Sequence, residues 1–180
     1  MQEEIKIPRE RIAILIGEKG VTKRKIEKLT KSRLDVSSKE GDVFIEGEDS
    51  LMVIIASHIV KAIGRGFNPN IAMGLARDDT IMEIVNMQDY TGSSKKSEER
   101  LRSRIIGTGG KARKTLEIMT DTQISIYGKT VAIIGKPESV FLARRAVEII
   151  LNGAPHSHAY MWVRKQLEKE ETTGGIDYTA

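Results

Sequence analysis

Short alternating runs and longer stretches with apolar residues three and four apart succeed one another along the chain in a fixed order. Ile5-Lys6-Ile7 alternates and predicts a strand. Pro8 suits the first turn of a helix reaching Ile16, because its φ is already set for one. A glycine turn leads to a second helix, about Val21 to Lys31, with few apolar positions (Ile26, Leu29) and an otherwise basic face. Leu34-Asp35-Val36 and Val43-Phe44-Ile45 alternate around a polar turn and predict two strands. A long helix from about Ser50 to Ile63 then ends at Gly64 and Gly66.

The same order returns. Ile81 to Met87 predicts a strand, Ser94 to Ile106 and Lys111 to Met119 two helices, Ile124 to Tyr127 and Thr130 to Ile134 a hairpin about Gly128-Lys129, and Pro137 to Leu151 a closing helix. The residues themselves repeat as well. Ile16, Gly17, Gly20, Glu27 and Thr30 recur in register, without a gap, as Ile106, Gly107, Gly110, Glu117 and Thr120. Val43, Ile45 and Gly47 match Val131, Ile133 and Gly135, and Ala56, Val60 and Ile63 match Ala143, Val147 and Ile150. The chain is therefore two copies of one small domain. Each is expected to fold in the order βααββα, an α+β unit with a three-stranded sheet and helices on one face. The copies span residues 1–66 and 80–153. A linker at 67–79 holds a short helix from Phe67 to Leu75, and residues 154–180 form a further helix and a frayed tail from Thr172.

Composition narrows the function classes. No cysteine is present among the 180 residues, which removes disulfide staples and cysteine-based zinc sites. No apolar run approaches the length of a membrane span, and the expectation is a soluble, cytoplasmic protein. The 29 Lys and Arg against 25 Asp and Glu make only a small excess, but it is unevenly placed. Lys19, Lys23, Arg24, Lys25, Lys28, Lys31 and Arg33 lie together with Glu27 as the one acid among them. With aromatics at 4%, broad stacking surfaces for bases are not available.

The two glycine turns carry the candidate chemistry. Gly17-Glu18-Lys19-Gly20 and Gly107-Thr108-Gly109-Gly110 each join two predicted helices. Glycine permits the tight turn and keeps side chains out of the way of a phosphodiester backbone. The turn also presents N–H groups at a helix start, where the dipole favours an anion. Lys23 and Arg24 in one copy, and Lys111, Arg113 and Lys114 in the other, stand within a turn of the loop. This is the KH arrangement, in which a GXXG loop clamps about four nucleotides of backbone, and the fold expected is two tandem type I KH domains. Ile16 and Leu34, and Ile106 and Ile124, are the candidates for lining the base-reading groove, whereas Ile26 and Leu116 read as core.

Other features are weaker. His156-Ser157-His158 lacks enough partners for a metal site. Tyr160 and Trp162 read as packing residues of the last helix, and the mixed-sign run from Lys95 to Arg104 reads as a solvated helix face from which Arg102 or Arg104 could approach RNA. No set of residues suits catalysis, and no cofactor is expected.

The stretches IPRERIAILIGEKG (7–20), IMEIVNMQDY (81–90), RIIGTGGKARKTLE (104–117), ISIYGKTVAIIG (124–135) and HSHAYMWVRKQLE (156–168) resemble the archaeal form of the KH-domain small-subunit assembly factors called the "partner of Nob-one" family. The resemblance implies binding near the 3′ end of small-subunit rRNA during its maturation. It also implies partnership with the endonuclease that trims that end and with translation initiation factor two. Gly107 to Gly110, with Lys111, Arg113 and Lys114, corresponds to the family's RNA-clamping loop. Thr108-Gly109 departs from the usual pair, which contains a basic residue. The alternatives are a general RNA-binding KH protein, such as an exosome or messenger-RNA factor, and a protein-interaction scaffold.

Overall fold

The structure, a computed structural model, describes residues 1–173 and divides into two compact units, Met1–Met82 and the chain from Glu83 on. In the first unit, strand β1 (Gln2–Lys6) precedes α1 (Arg9–Ile16) and α2 (Val21–Thr30), followed by β2 (Arg33–Val36), β3 (Asp42–Glu46) and α3 (Ser50–Gly64). The three strands run in the order β1-β3-β2, with β3 antiparallel to both neighbours. β1 begins earlier than Ile5, because pairing with β3 recruits Gln2, Glu3 and Glu4 opposite Glu46, Ile45 and Phe44. Polar residues fit an edge strand with one solvated face.

Ile5, Leu34, Val43 and Ile45 of the sheet meet Ile12, Leu15, Ile26 and the buried stripe of α3 in one aliphatic core. Asp49 caps α3 by accepting from the N–H groups of Leu51 and Met52. The segment that follows folds as α4 (Pro69–Ala72) and a 3-10 turn (Met73–Ala76), and Phe67, Ala72 and Leu75 are buried.

The second unit repeats the plan with β4 (Ile81–Asn86), α6 (Lys95–Ile106), α7 (Lys111–Thr120), β5 (Gln123–Tyr127), β6 (Thr130–Gly135) and α8 (Pro137–Leu151), and its sheet has the order β4-β6-β5. A one-turn helix, α5 (Gln88–Thr91), stands between β4 and α6 where the pattern gave no element. Helix α9 (His156–Thr173) closes the unit, with Ala159 and Val163 fully buried in the same core as α7 and α8. Tyr160 and Trp162 pack against that core, the indole 6.3 Å from the ring of Phe141. The tail beyond Thr173 lies outside the described residues.

Equivalent carbonyls at the end of the closing helix are held by an arginine in each unit. Arg11 donates to the carbonyls of Ile63 (2.7 Å) and Phe67 (2.9 Å), and Arg104 to those of Ile150 (3.1 Å) and Ala154 (2.6 Å). The two arginines do not occupy matching sequence positions, yet each bridges a carbonyl in the last turn of the closing helix to one just beyond it. Arg104 is thereby committed to the fold, and so is Arg102, which donates to Glu98 and to the carbonyl of Gly128.

Candidate nucleic-acid interface

Each glycine loop is built by the same run of positive-φ residues, at its first, third and fourth positions. Gly17 ends α1 with its N–H on the carbonyl of Ala13 (2.9 Å) at φ 74°, and Gly107 ends α6 on Ser103 (2.9 Å) at φ 73°. A single 3-10 turn follows, closed by the N–H of Gly20 on Gly17 (3.2 Å) and of Gly110 on Gly107 (3.1 Å). Gly20 and Gly110 are left-handed, at φ 75° and 76°. The two middle residues differ in type, Glu18 and Lys19 against Thr108 and Gly109, and at the third position the conformation is kept. Lys19 adopts φ 50° where Gly109 has φ 60°, so a lysine tolerates the conformation that the second loop fills with glycine.

Space explains why the first glycine of each loop is fixed. A Cβ on Gly17 would overlap Thr22, 2.8 Å from its Cβ, and one on Gly107 would lie 2.7 Å from the Cβ of Ala112. A Cβ on Gly109 would meet nothing within 4 Å.

No side chain caps α2 or α7. The N–H of Val21 and of Lys111 goes to the carbonyls of Glu18 and Thr108, so an outside acceptor beside the loop would meet the helix start through the rest of the first turn. Basic side chains gather over the same end. The guanidinium of Arg24 lies about where a Cβ on Gly20 would be 3.0 Å from its Nη1, and the Lys114 chain lies 4.0 Å from the matching position on Gly110. Glu18, Lys19, Thr108 and Lys111 are exposed, as are Arg24 and Lys114. Lys23 and Arg113 are half-buried, because each turns back to the acid four residues on.

Those acids were not among the expected site residues. Oε1 of Glu27 accepts the N–H of Leu34 (2.8 Å) at the edge of β2 and faces the Lys23 ammonium at 3.9 Å. Oε1 of Glu117 accepts the N–H of Ile124 (2.9 Å) on β5 and the Arg113 guanidinium at 3.0 Å. The recurrence of Glu27 as Glu117 was the available signal, since a carboxylate retained amid basic residues on a helix needs a structural use. Ile16 and Ile106 are half-buried beside the loops, whereas Leu34 and Ile124 are 1% and 4% exposed and belong to the packed interior, as Ile26 and Leu116 do. Exposed apolar side chains near α2 and α7 are Val21, Leu29 and Ile118.

His156 is used locally, its Nε2 standing 2.7 Å from the carbonyl oxygen of Arg104. In the second unit, burial and the nearby Glu148 carboxylate hold the Tyr90 phenol above its usual range. Among the described residues, no helix is long and apolar enough to cross a membrane.

The family model for the eukaryotic type KH domain (KH domain type I), of the PNO1 second-domain kind, matches residues 81–168, and the general KH-domain model matches residues 2–62. The chain is 43% identical over 93% of its length to the KH domain-containing protein MJ0443 of Methanocaldococcus jannaschii, of which it covers 74%. It belongs to the PNO1 family of KH-domain proteins. The RNA-binding protein PNO1 of Oryzias latipes is 30% identical over 66% of the chain, which spans 49% of that longer protein. Among solved structures, Dim2p from Pyrococcus horikoshii OT3 superimposes with a TM-score of 0.84 at 43% identity, covering 92% of this chain and 99% of Dim2p. The same archaeon's a/eIF2alpha–aDim2p–rRNA complex matches with a TM-score of 0.87 at 42% identity over 94% of this chain and 95% of that one.

Proposed function

We propose that this protein binds single-stranded RNA through both glycine loops and acts in small-subunit ribosome biogenesis, holding rRNA near its 3′ end while that end matures. The observation that carries the reading is the duplicated loop, with matching dihedrals, uncapped helix starts and basic side chains over the last glycine in each copy. Gly17 to Gly20 with Lys23 and Arg24 form one clamp, and Gly107 to Gly110 with Lys111, Arg113 and Lys114 form the other. Ile16 and Ile106, half-buried beside the loops, form the groove walls, with Leu34 and Ile124 packed in the interior behind them. Likeness to a Dim2p seen in complex with rRNA and a/eIF2alpha supports the RNA and adds translation initiation factor two as a protein partner. The rRNA 3′-end endonuclease is a further partner on this reading. The role is binding and presentation in the cytoplasm, with no bond made or broken by this chain.

The test is binding of the whole protein to a short RNA copying the 3′ end of small-subunit rRNA, against a scrambled copy, at two salt concentrations. Preference for the rRNA sequence that survives higher salt is the expected result. Replacing Glu18 and Lys19, and Thr108 and Gly109, by Asp is expected to abolish binding. Undiminished affinity in that variant sinks the clamp, and a wild-type protein that holds its protein partners but binds neither RNA would favour a scaffold.

A further inference from the structure

The second copy is not a plain repeat of the first. Ile7 and Met87 are equivalent, each buried and each donating its N–H across the sheet end, to Gly41 and Lys129. From there to the first loop glycine, the second copy is ten residues longer. The addition comprises α5 and the start of α6. In the first copy Ile7 closes directly on the end of α3, where a Cβ on Gly64 would lie 2.8 Å from it. In the second copy Leu151 stands in place of Gly64, and the added segment leaves a cavity of about 510 Å³ against the end of α8.

The cavity's lining has a definite chemistry. Tyr90, Ser97, Arg100, Arg104 and Asn152 face it, together with Leu101 and the rest of an acid-free wall. Arg104 is tied to two carbonyls, but Arg100 is exposed and makes no hydrogen bond or ion pair with any described residue. Its forked guanidinium suits a phosphate. Tyr90 keeps its phenolic proton, because burial and Glu148 disfavour the anion, and its side chain, packed against the core, forms one wall of the cavity. A volume within the range of small-ligand sites suits a nucleotide.

Position points to the source of that nucleotide. Arg100, Arg104 and Gly107 are spaced i, i+4, i+7, one stripe of α6 that ends in the glycine loop. At 1.5 Å per residue, Arg100 lies about 10 Å along the axis from Gly107, within reach of the next one or two nucleotides of a strand on the loop.

We propose that this cavity binds a nucleotide of the RNA that flanks the stretch held by the second glycine loop, with its phosphate on Arg100 and its base against Tyr90. The proposal rests on the RNA-binding reading of that loop. It makes the added segment a second contact for the same strand.

The test uses the full chain and two RNAs from the 3′ end of small-subunit rRNA: one trimmed to about four nucleotides, the length one loop holds, and one about four longer at each end. Arg100→Gln is expected to weaken the longer RNA about tenfold, the loss of one charged phosphate contact, and to leave the short one unchanged. Lys95→Gln, on the same helix but outside the cavity, is expected to leave both within about twofold, as screened surface charges do. A 5-iodouridine in the flank is expected to crosslink to Tyr90. Equal weakening of both RNAs, no weakening of either, or no gain for the wild-type protein from the flanks overturns the proposal. The Asp variant of Thr108 and Gly109 separates the two readings. If it binds the longer RNA as well as wild type and remains sensitive to Arg100→Gln, the cavity stands and the loop reading falls.

Discussion

Glu27 and Glu117 show how one carboxylate can serve the fold inside a basic surface. Each removes an unpaired N–H from a strand edge and turns a cation away from bulk solvent. Glu117 has the shorter ion pair, 3.0 Å against 3.9 Å, and the less exposed side chain, 16% against 24%. Glu117→Ala should therefore lower unfolding stability by about 1–3 kcal/mol, and Glu27→Ala by less. Urea titrations of the two variants decide it, and the reverse order would show that the ion-pair geometry is irrelevant. The loop glycines offer a sharper comparison. Gly109→Ala should cost only the roughly 1–2 kcal/mol of a left-handed residue, while Gly107→Ala should cost more because its Cβ meets Ala112. Gly109→Lys, which copies Lys19, should tighten RNA binding by the second loop, as read by fluorescence anisotropy. These carboxylate contacts were only half legible in the sequence: the recurrence was visible, but its target was an N–H seven residues away that only the folded sheet brings close.

At the scale of elements, the periodic helices and the hairpin follow from apolar spacing and from Gly, Pro and Asp at their ends. α5 did not announce itself, since a one-turn helix has too few residues to show a period. The run from Lys95 to Arg104 reads as a solvated face by pattern, and half of that is right. Lys95 and Arg100 are exposed, but Arg104 is spent on the end of α8. Arg104→Ala should lower stability by about 1–3 kcal/mol, since two carbonyls lose a charged donor. A thermal melt of the variant unchanged from wild type would mean that water replaces the guanidinium at no loss. α9 is expected to be integral to the second unit, because Ala159 and Val163 are fully buried. Ending the chain before His156 should leave the second unit far less resistant to proteolysis than the first, which lacks such a helix.

For the whole molecule, the proposed RNA contact is largely electrostatic. RNA affinity should fall steeply with salt, and each phosphate contact removed should reduce the slope of log K against log salt by about 0.7. Replacing Glu18 and Lys19 by Asp in the whole protein should lower that slope more than replacing Thr108 and Gly109, because only the first pair contains a cation; equal slopes would place Lys19 off the RNA. The sequence alone determined the duplication, the order of the longer elements, the two glycine loops and the basic helices, because these depend on local backbone preference and on a period that nearby residues set. Only the tertiary structure decided that Leu34 and Ile124 are core, that Glu27 and Glu117 hold strand edges, and that the added segment of the second copy opens a cavity on the stripe leading to Gly107. Those outcomes depend on which groups distant parts of the chain bring into contact, and no local pattern records that.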